Sequence, residues 1–142
     1  MTYRFPTVAA MTLALLLATI ALSQATSLQG KVFRCNNSSL PSNAKFSFLG
    51  RFISETEIEA ELLLNLPTRA ICNFGQTSIS AVRNTQTGIW TGSNVSFKIS
   101  ADGYVNDFKY SKSSGSTGTC KISMTNLKIS GPALPFLNIL MK

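Results

Sequence analysis

Hydrophobic and polar residues alternate in short runs along most of the chain beyond residue 30. The runs are KVFRC (31–35), KFSFLGRF (45–52), TEIEAELLL (56–64), RAICNF (69–74), SISAVR (78–83), GIWTG (88–92), VSFKIS (95–100), YVNDFKY (104–110), TCKISM (119–124) and LKIS (127–130). They are rich in Val, Ile, Phe, Tyr and Thr, and Gly, Asn, Ser and Pro separate them. A period of two places alternate side chains on opposite faces of a strand. The pattern predicts an all-β fold, an antiparallel β-sandwich or small barrel of about nine short strands. The apolar tail GPALPFLNILMK (131–142) is too short to cross a membrane and is expected to close the sheet as a last strand. SKSSGSTG (111–118) has too few bulky residues to pack and reads as a flexible loop.

Two stretches carry finer expectations. Asp102-Gly103 is a signal for a two-residue type I′ hairpin, because both turn positions must accept positive φ. Such a turn pairs Ala101 with Tyr104, Ile99 with Asn106, Lys98 with Asp107 and Phe97 with Phe108. The second stretch is SETEIEAELLLNL (54–66), which holds Glu55, Glu57, Glu59 and Glu61, four of the six acidic residues. Ser54 and Glu57 could form a capping box, so residues 55–65 admit a helix. On a helix, however, the glutamates would fall on opposed sides. On a strand they share one wet face while Thr56, Ile58, Ala60, Leu62 and Leu64 share the other, and the strand is the reading adopted. Alternate strand residues lie roughly 6.8 Å apart, too far for one straight strand to wrap a cation with six to eight oxygens. KFSFLGR offers a partner, with Lys45 and Arg51 on one face and Phe46 and Phe48 on the other.

The leader changes the picture of where the chain works. Arg4, the apolar run VAAMTLALLLATIAL (8–22) and the small residues Ser23 and Ala25 have the organisation of a secretory signal peptide over residues 1–25. A single secreted β-domain is then expected over residues 26–142, placed outside the cell, in a periplasm or at the cell surface. Loss of Arg4 leaves twelve Lys and Arg against six Asp and Glu, a net charge of about +6 against +7 for the full chain. The basic residues are scattered along the chain, so a nucleic-acid footprint is not expected. An oxidising compartment favours one disulfide among Cys35, Cys72 and Cys120. Three pairings are open, and Cys72–Cys120 is preferred because it closes the region with the most regular strands.

Chemistry narrows the function further. The chain has no His, which removes Ser-His-Asp and Cys-His catalysis and His-ligated metal. No phosphate-binding glycine loop and no CxxC motif occurs. No catalytic residue, metal site or cofactor is assigned. Trp90, with Tyr104 and Tyr110, is a candidate for stacking on a ligand such as a glycan; the alternative places Trp90 in the core. Sequons at Asn36, Asn37 and Asn94 are candidates for N-glycosylation.

Residues 88–120, GIWTGSNVSFKISADGYVNDFKYSKSSGSTGTC, resemble a pattern in small secreted bacterial β-modules of unknown function. In that pattern a Gly-aromatic-x-Gly strand leads into a V-x-F-x-V/I-S-x-x-G-x-V-x-x-F hairpin and a later Cys. The resemblance implies secretion and β architecture and brings no catalytic residues. The expectation is a non-enzymatic binding or surface-interaction module whose partner is an unidentified protein or glycan. A secreted inhibitor or effector acting through the 111–118 loop is the alternative, and a small carbohydrate-active enzyme using carboxylates is the third reading.

Overall fold

The computed structural model describes residues 27–37, 40–113 and 118–141. The signal peptide expected over residues 1–25 lies outside them. Nine strands are present among the described residues: β1 (Val32–Asn36), β2 (Lys45–Phe52), β3 (Glu57–Asn65), β4 (Asn73–Arg83), β5 (Ile89–Thr91), β6 (Val95–Ile99), β7 (Tyr104–Ser113), β8 (Thr119–Met124) and β9 (Leu127–Ser130). They hydrogen-bond in the order β6-β5-β4-β3-β2-β1-β9-β7-β8, and β6 also pairs with β7. Eight strands therefore close into an antiparallel barrel, and β8 lies against β7 as a ninth strand outside the ring.

Alternation builds the wall. Ile58, Ala60, Leu62 and Leu64 of β3 point inward and are buried, while Glu57, Glu59 and Glu61 point out. β2 pairs with β3 so that Phe48 faces Leu62, Phe52 faces Ile58 and Arg51 faces Glu59. Arg51 and Glu59 form an ion pair at 3.2 Å. Lys45 faces Asn65, so the basic-to-acidic pairing rests on Arg51 alone. An eight-stranded barrel has an interior just wide enough for side chains to fill. Here Phe33, Phe48, Phe52, Trp90, Phe97 and Phe108 fill it, with Leu62, Leu64, Leu127 and Ile129 between them.

The β6–β7 hairpin corrects the expected turn. Its loop has three residues, Ala101 to Gly103: the Gly103 amide donates to Ser100 and the Ser100 amide to Tyr104. Gly103 takes φ +96°, the glycine position of a three-residue loop ending in a bulge. Next to the turn the pairs are Ile99 with Val105 and Lys98 with Asn106, one residue off the expected register. A bulge in β7, where Asp107 sits at φ 52°, then adds the missing residue. Beyond it Ser96 faces Lys109 and Val95 faces Tyr110, which is the expected register. The two anticipated side-chain pairs form despite the shift. Phe97 and Phe108 rings lie 6.1 Å apart, and Lys98 reaches Asp107 at 3.8 Å.

Two other expectations are corrected. RAICNF is not a separate strand: Ala70–Cys72 form a 3₁₀ turn and the chain runs on into β4. The C-terminal tail is not a last strand either. Leu134–Met141 form a 3₁₀ helix that buries Leu137 and Leu140. The reason is topological: β9 already has β1 on one side and β7 on the other, so it offers no edge. Pro132 and Pro135 also lack the amide donors a strand would need. The helix packs across the barrel end where Arg83 donates to the Leu140 carbonyl. There Lys31 also sits 4.8 Å above the Phe136 ring.

Gly50 of β2 faces Phe33 of β1, whose ring lies over it. A Cβ at this position would overlap that ring, and both residues are buried. Gly50→Ala is therefore expected to destabilise the fold by about 1–3 kcal/mol through overpacking, measured by urea unfolding. A neutral result would mean that Phe33 does not rest on Gly50.

Candidate binding groove

The sites anticipated from sequence separate in the fold. Trp90 is 0 % exposed, stacked on Phe97 at 6.1 Å and edge-on to Phe52 at 5.9 Å. Of the two readings of Trp90 the core one holds, and the candidate stacking role is corrected: the ring belongs to the barrel interior, and its indole N–H is buried there without a hydrogen-bond partner. Tyr110 is only 4 % exposed, which likewise removes it as a stacking platform. Burial raises its phenol pKa, against an opposing hydrogen bond with Thr77. Tyr104 is half-buried at the other end of β7. The three rings do not converge on one face.

Asn94 is exposed in the tight connection between β5 and β6, and Asn36 is exposed at the end of β1. The Asn37 amide reaches the Met124 sulfur at 3.4 Å. Glu59 and Glu61 of β3 line an open face with Ser78 and Ser80 of β4 and Arg51 of β2. Among the described residues no group of three or more Cys, Asp or Glu side chains converges to hold a metal ion, and no helix is long and apolar enough to cross a membrane.

Cys72 and Cys120 form a disulfide with Cα atoms 5.1 Å apart. It ties the 3₁₀ turn before β4 to β8. Cys35 is a free thiol buried inside β1, and burial pushes its pKa from an ordinary 9.0 up to about 12. The folded state therefore holds the neutral thiol while the unfolded chain ionises. Stability should be insensitive to this group below about pH 9 and fall between pH 9 and 12 as the unfolded state loses its proton first. Alkylation at pH 8 should be slow in buffer and fast in denaturant; fast labelling of the native protein would show that Cys35 is accessible.

What the fold brings together is a groove that the linear sequence hides. β8 and β9 continue one antiparallel register along β7, from Ser113 opposite Thr119 to Tyr104 opposite Lys128. They part at Asn126, which has φ 57°. The Asn106 side-chain oxygen accepts from the Asn126 amide at 2.9 Å and from the Thr125 hydroxyl at 3.0 Å, and pins the break. β9 goes on to pair with β1, whereas β8 has no second strand partner among the described residues. β8 thus widens the wall formed by β6 and β7.

A groove of about 550 Å³ runs over this wall and is lined by Gly92 to Ser96, Lys109 to Ser111 and Lys121 to Ser123. Val95, Tyr110 and Ile122 form its floor from residues buried in the core. Its rim is hydroxyls, the Asn94 amide and two ammonium groups. A smaller cleft beside it, toward β4, shares Ser93, Asn94 and Tyr110. Ser96 faces Lys109, Lys109 faces Ser123, and Ser111 faces Lys121. The two lysines are diagonal neighbours, within roughly 7–8 Å at the backbone. They lie twelve positions apart in sequence, across a loop whose composition fixes no register, so no local signal joined them.

Comparison of the chain with protein-family models, with curated proteins and with solved structures finds no match.

Proposed function

We propose that the protein is a secreted, non-enzymatic binding module that holds its partner on the outer wall of the barrel, in the groove over β6, β7 and β8. The observation that carries this reading is the filled interior. Six large aromatic side chains occupy the space where a hollow barrel would hold a ligand, so recognition is left to the outside. The groove supplies donors and acceptors over a rigid three-stranded floor, and sites on strands hold their geometry better than sites on loops. The lack of His and the open, solvated row of glutamates support a non-catalytic role.

The loop expected over residues 111–118 is corrected at its start, where residues 111–113 belong to β7 and pair with β8; residues 114–117 lie outside the described residues. Engagement of a partner protein, as an inhibitor or effector would require, uses the same wall on this reading.

Ser123→Tyr places a ring in the groove from an exposed position opposite Lys109. Ligands captured by the wild-type protein from a glycan and protein panel should be lost in this variant, with the thermal unfolding midpoint unchanged. Capture that survives the added ring would move the site elsewhere. Hydrolysis of a glycan, abolished by Glu59→Gln, would replace the reading with the enzymatic one.

A further inference from the structure

The order of strands around the barrel sorts the charges. Counting around the closed ring, β3 and β7 are four strands apart in either direction, so they stand on opposite walls. β3 and its preceding turn carry four of the six carboxylates. The opposite wall carries Lys98 on β6, Lys109 and Lys112 on β7 and Lys121 on β8. Asp107 on that wall is paired with Lys98. Among the described residues neither Lys109 nor Lys121 has an ion-pair partner.

We infer that the β6–β7–β8 groove takes a linear anionic polysaccharide, with Lys109 and Lys121 binding successive acidic groups and the flanking serines donating to their oxygens. The inference rests on the outer-wall reading and names its ligand class. Charge complementarity carries it: the two unpaired ammonium groups face a groove whose rim is otherwise hydroxyl and amide. Other anionic partners fit less well. The exposed large apolar residues, Val32, Leu49, Val82, Leu134 and Met141, lie off this wall, so nothing there would insert into a lipid surface. The groove's one aromatic residue, Tyr110, is buried and gives no platform for stacking bases. A second copy is disfavoured by the net charge of about +6 on each processed chain, 12 Lys and Arg against 6 Asp and Glu.

The test uses heparin as the probe and the processed protein, in calorimetry at two salt concentrations. Wild-type protein should bind, more weakly as salt rises. Lys109→Gln with Lys121→Gln should lower affinity by about tenfold or more. Arg34→Gln with Lys45→Gln removes the same charge from exposed positions on β1 and β2, outside the groove lining, and should change affinity by less than about threefold. Trp90 emission checks that each variant is folded. Equal loss in both pairs would reduce the effect to net charge and overturn the inference. So would tighter binding to phosphatidylserine vesicles or single-stranded DNA, or salt-dependent self-association without heparin binding. A ligand whose capture is lost in Ser123→Tyr but is indifferent to both lysines would leave the groove standing and remove the anion.

Discussion

Phe97→Ala is expected to destabilise the protein by about 3–5 kcal/mol in urea unfolding. Phe97 lies between three other rings: Phe48 at 5.5 Å, Trp90 at 6.1 Å and Phe108 at 6.1 Å. Removing it opens a cavity on the barrel axis and strips the stacked face of Trp90. Ring pairs of this kind add roughly 0.5–1.5 kcal/mol each beyond burial. A small domain has about 5–15 kcal/mol in total, so the variant should be close to its folding threshold. A loss below about 1 kcal/mol would mean that the interior is loose enough to accept the change, as a ligand-holding barrel would be.

Breaking the Cys72–Cys120 bond should have a comparable effect by a different route. The bridge closes a separation of 48 residues, and the chain-entropy model assigns such a loop about 4 kcal/mol. Cys72→Ser with Cys120→Ser is expected to lose that order of stability. The first amides to exchange should be those of β8, which has one strand neighbour among the described residues and is tied near its start by the disulfide. Groove binding should weaken in parallel, because Lys121 moves with β8. Peptide mapping without reduction should recover Cys72 joined to Cys120 and Cys35 alone. A peptide linking Cys35 would contradict both the pairing and the buried position of that thiol.

The wall of the barrel was legible because alternation is a local property. Glu57, Glu59 and Glu61 announced a wet face, and Phe46 with Phe48 announced its inner partner, within one hairpin. The β6–β7 hairpin was legible in its side-chain pairs but not in its turn. An Asp-Gly pair satisfies a two-residue turn and a three-residue loop alike, and the bulge at Asp107 that reconciles them leaves no sequence mark. Closure was hidden for a related reason. β9 is four residues long and slots between β1 and β7, partners far from it along the chain. With both edges of β9 taken, the apolar tail could not pair with the strand it follows. The sequence therefore left sandwich and barrel open, and it misplaced the tail. Trp90 shows the limit for sites: an aromatic residue on an alternating strand reads the same whether it faces ligand or core, and only the closed ring decides. The lysine pair was invisible because the loop between β7 and β8 sets no register.

The fluorescence of Trp90, the single tryptophan in the chain, tests the solid interior most directly. The account predicts emission typical of an apolar, unhydrated indole, little quenching by acrylamide, and a spectrum unchanged by saturating heparin. Solvent-like emission, ready quenching, or a spectral shift on ligand binding would put that ring in a site instead of the core, and would contradict a barrel that recognises its partner only from outside.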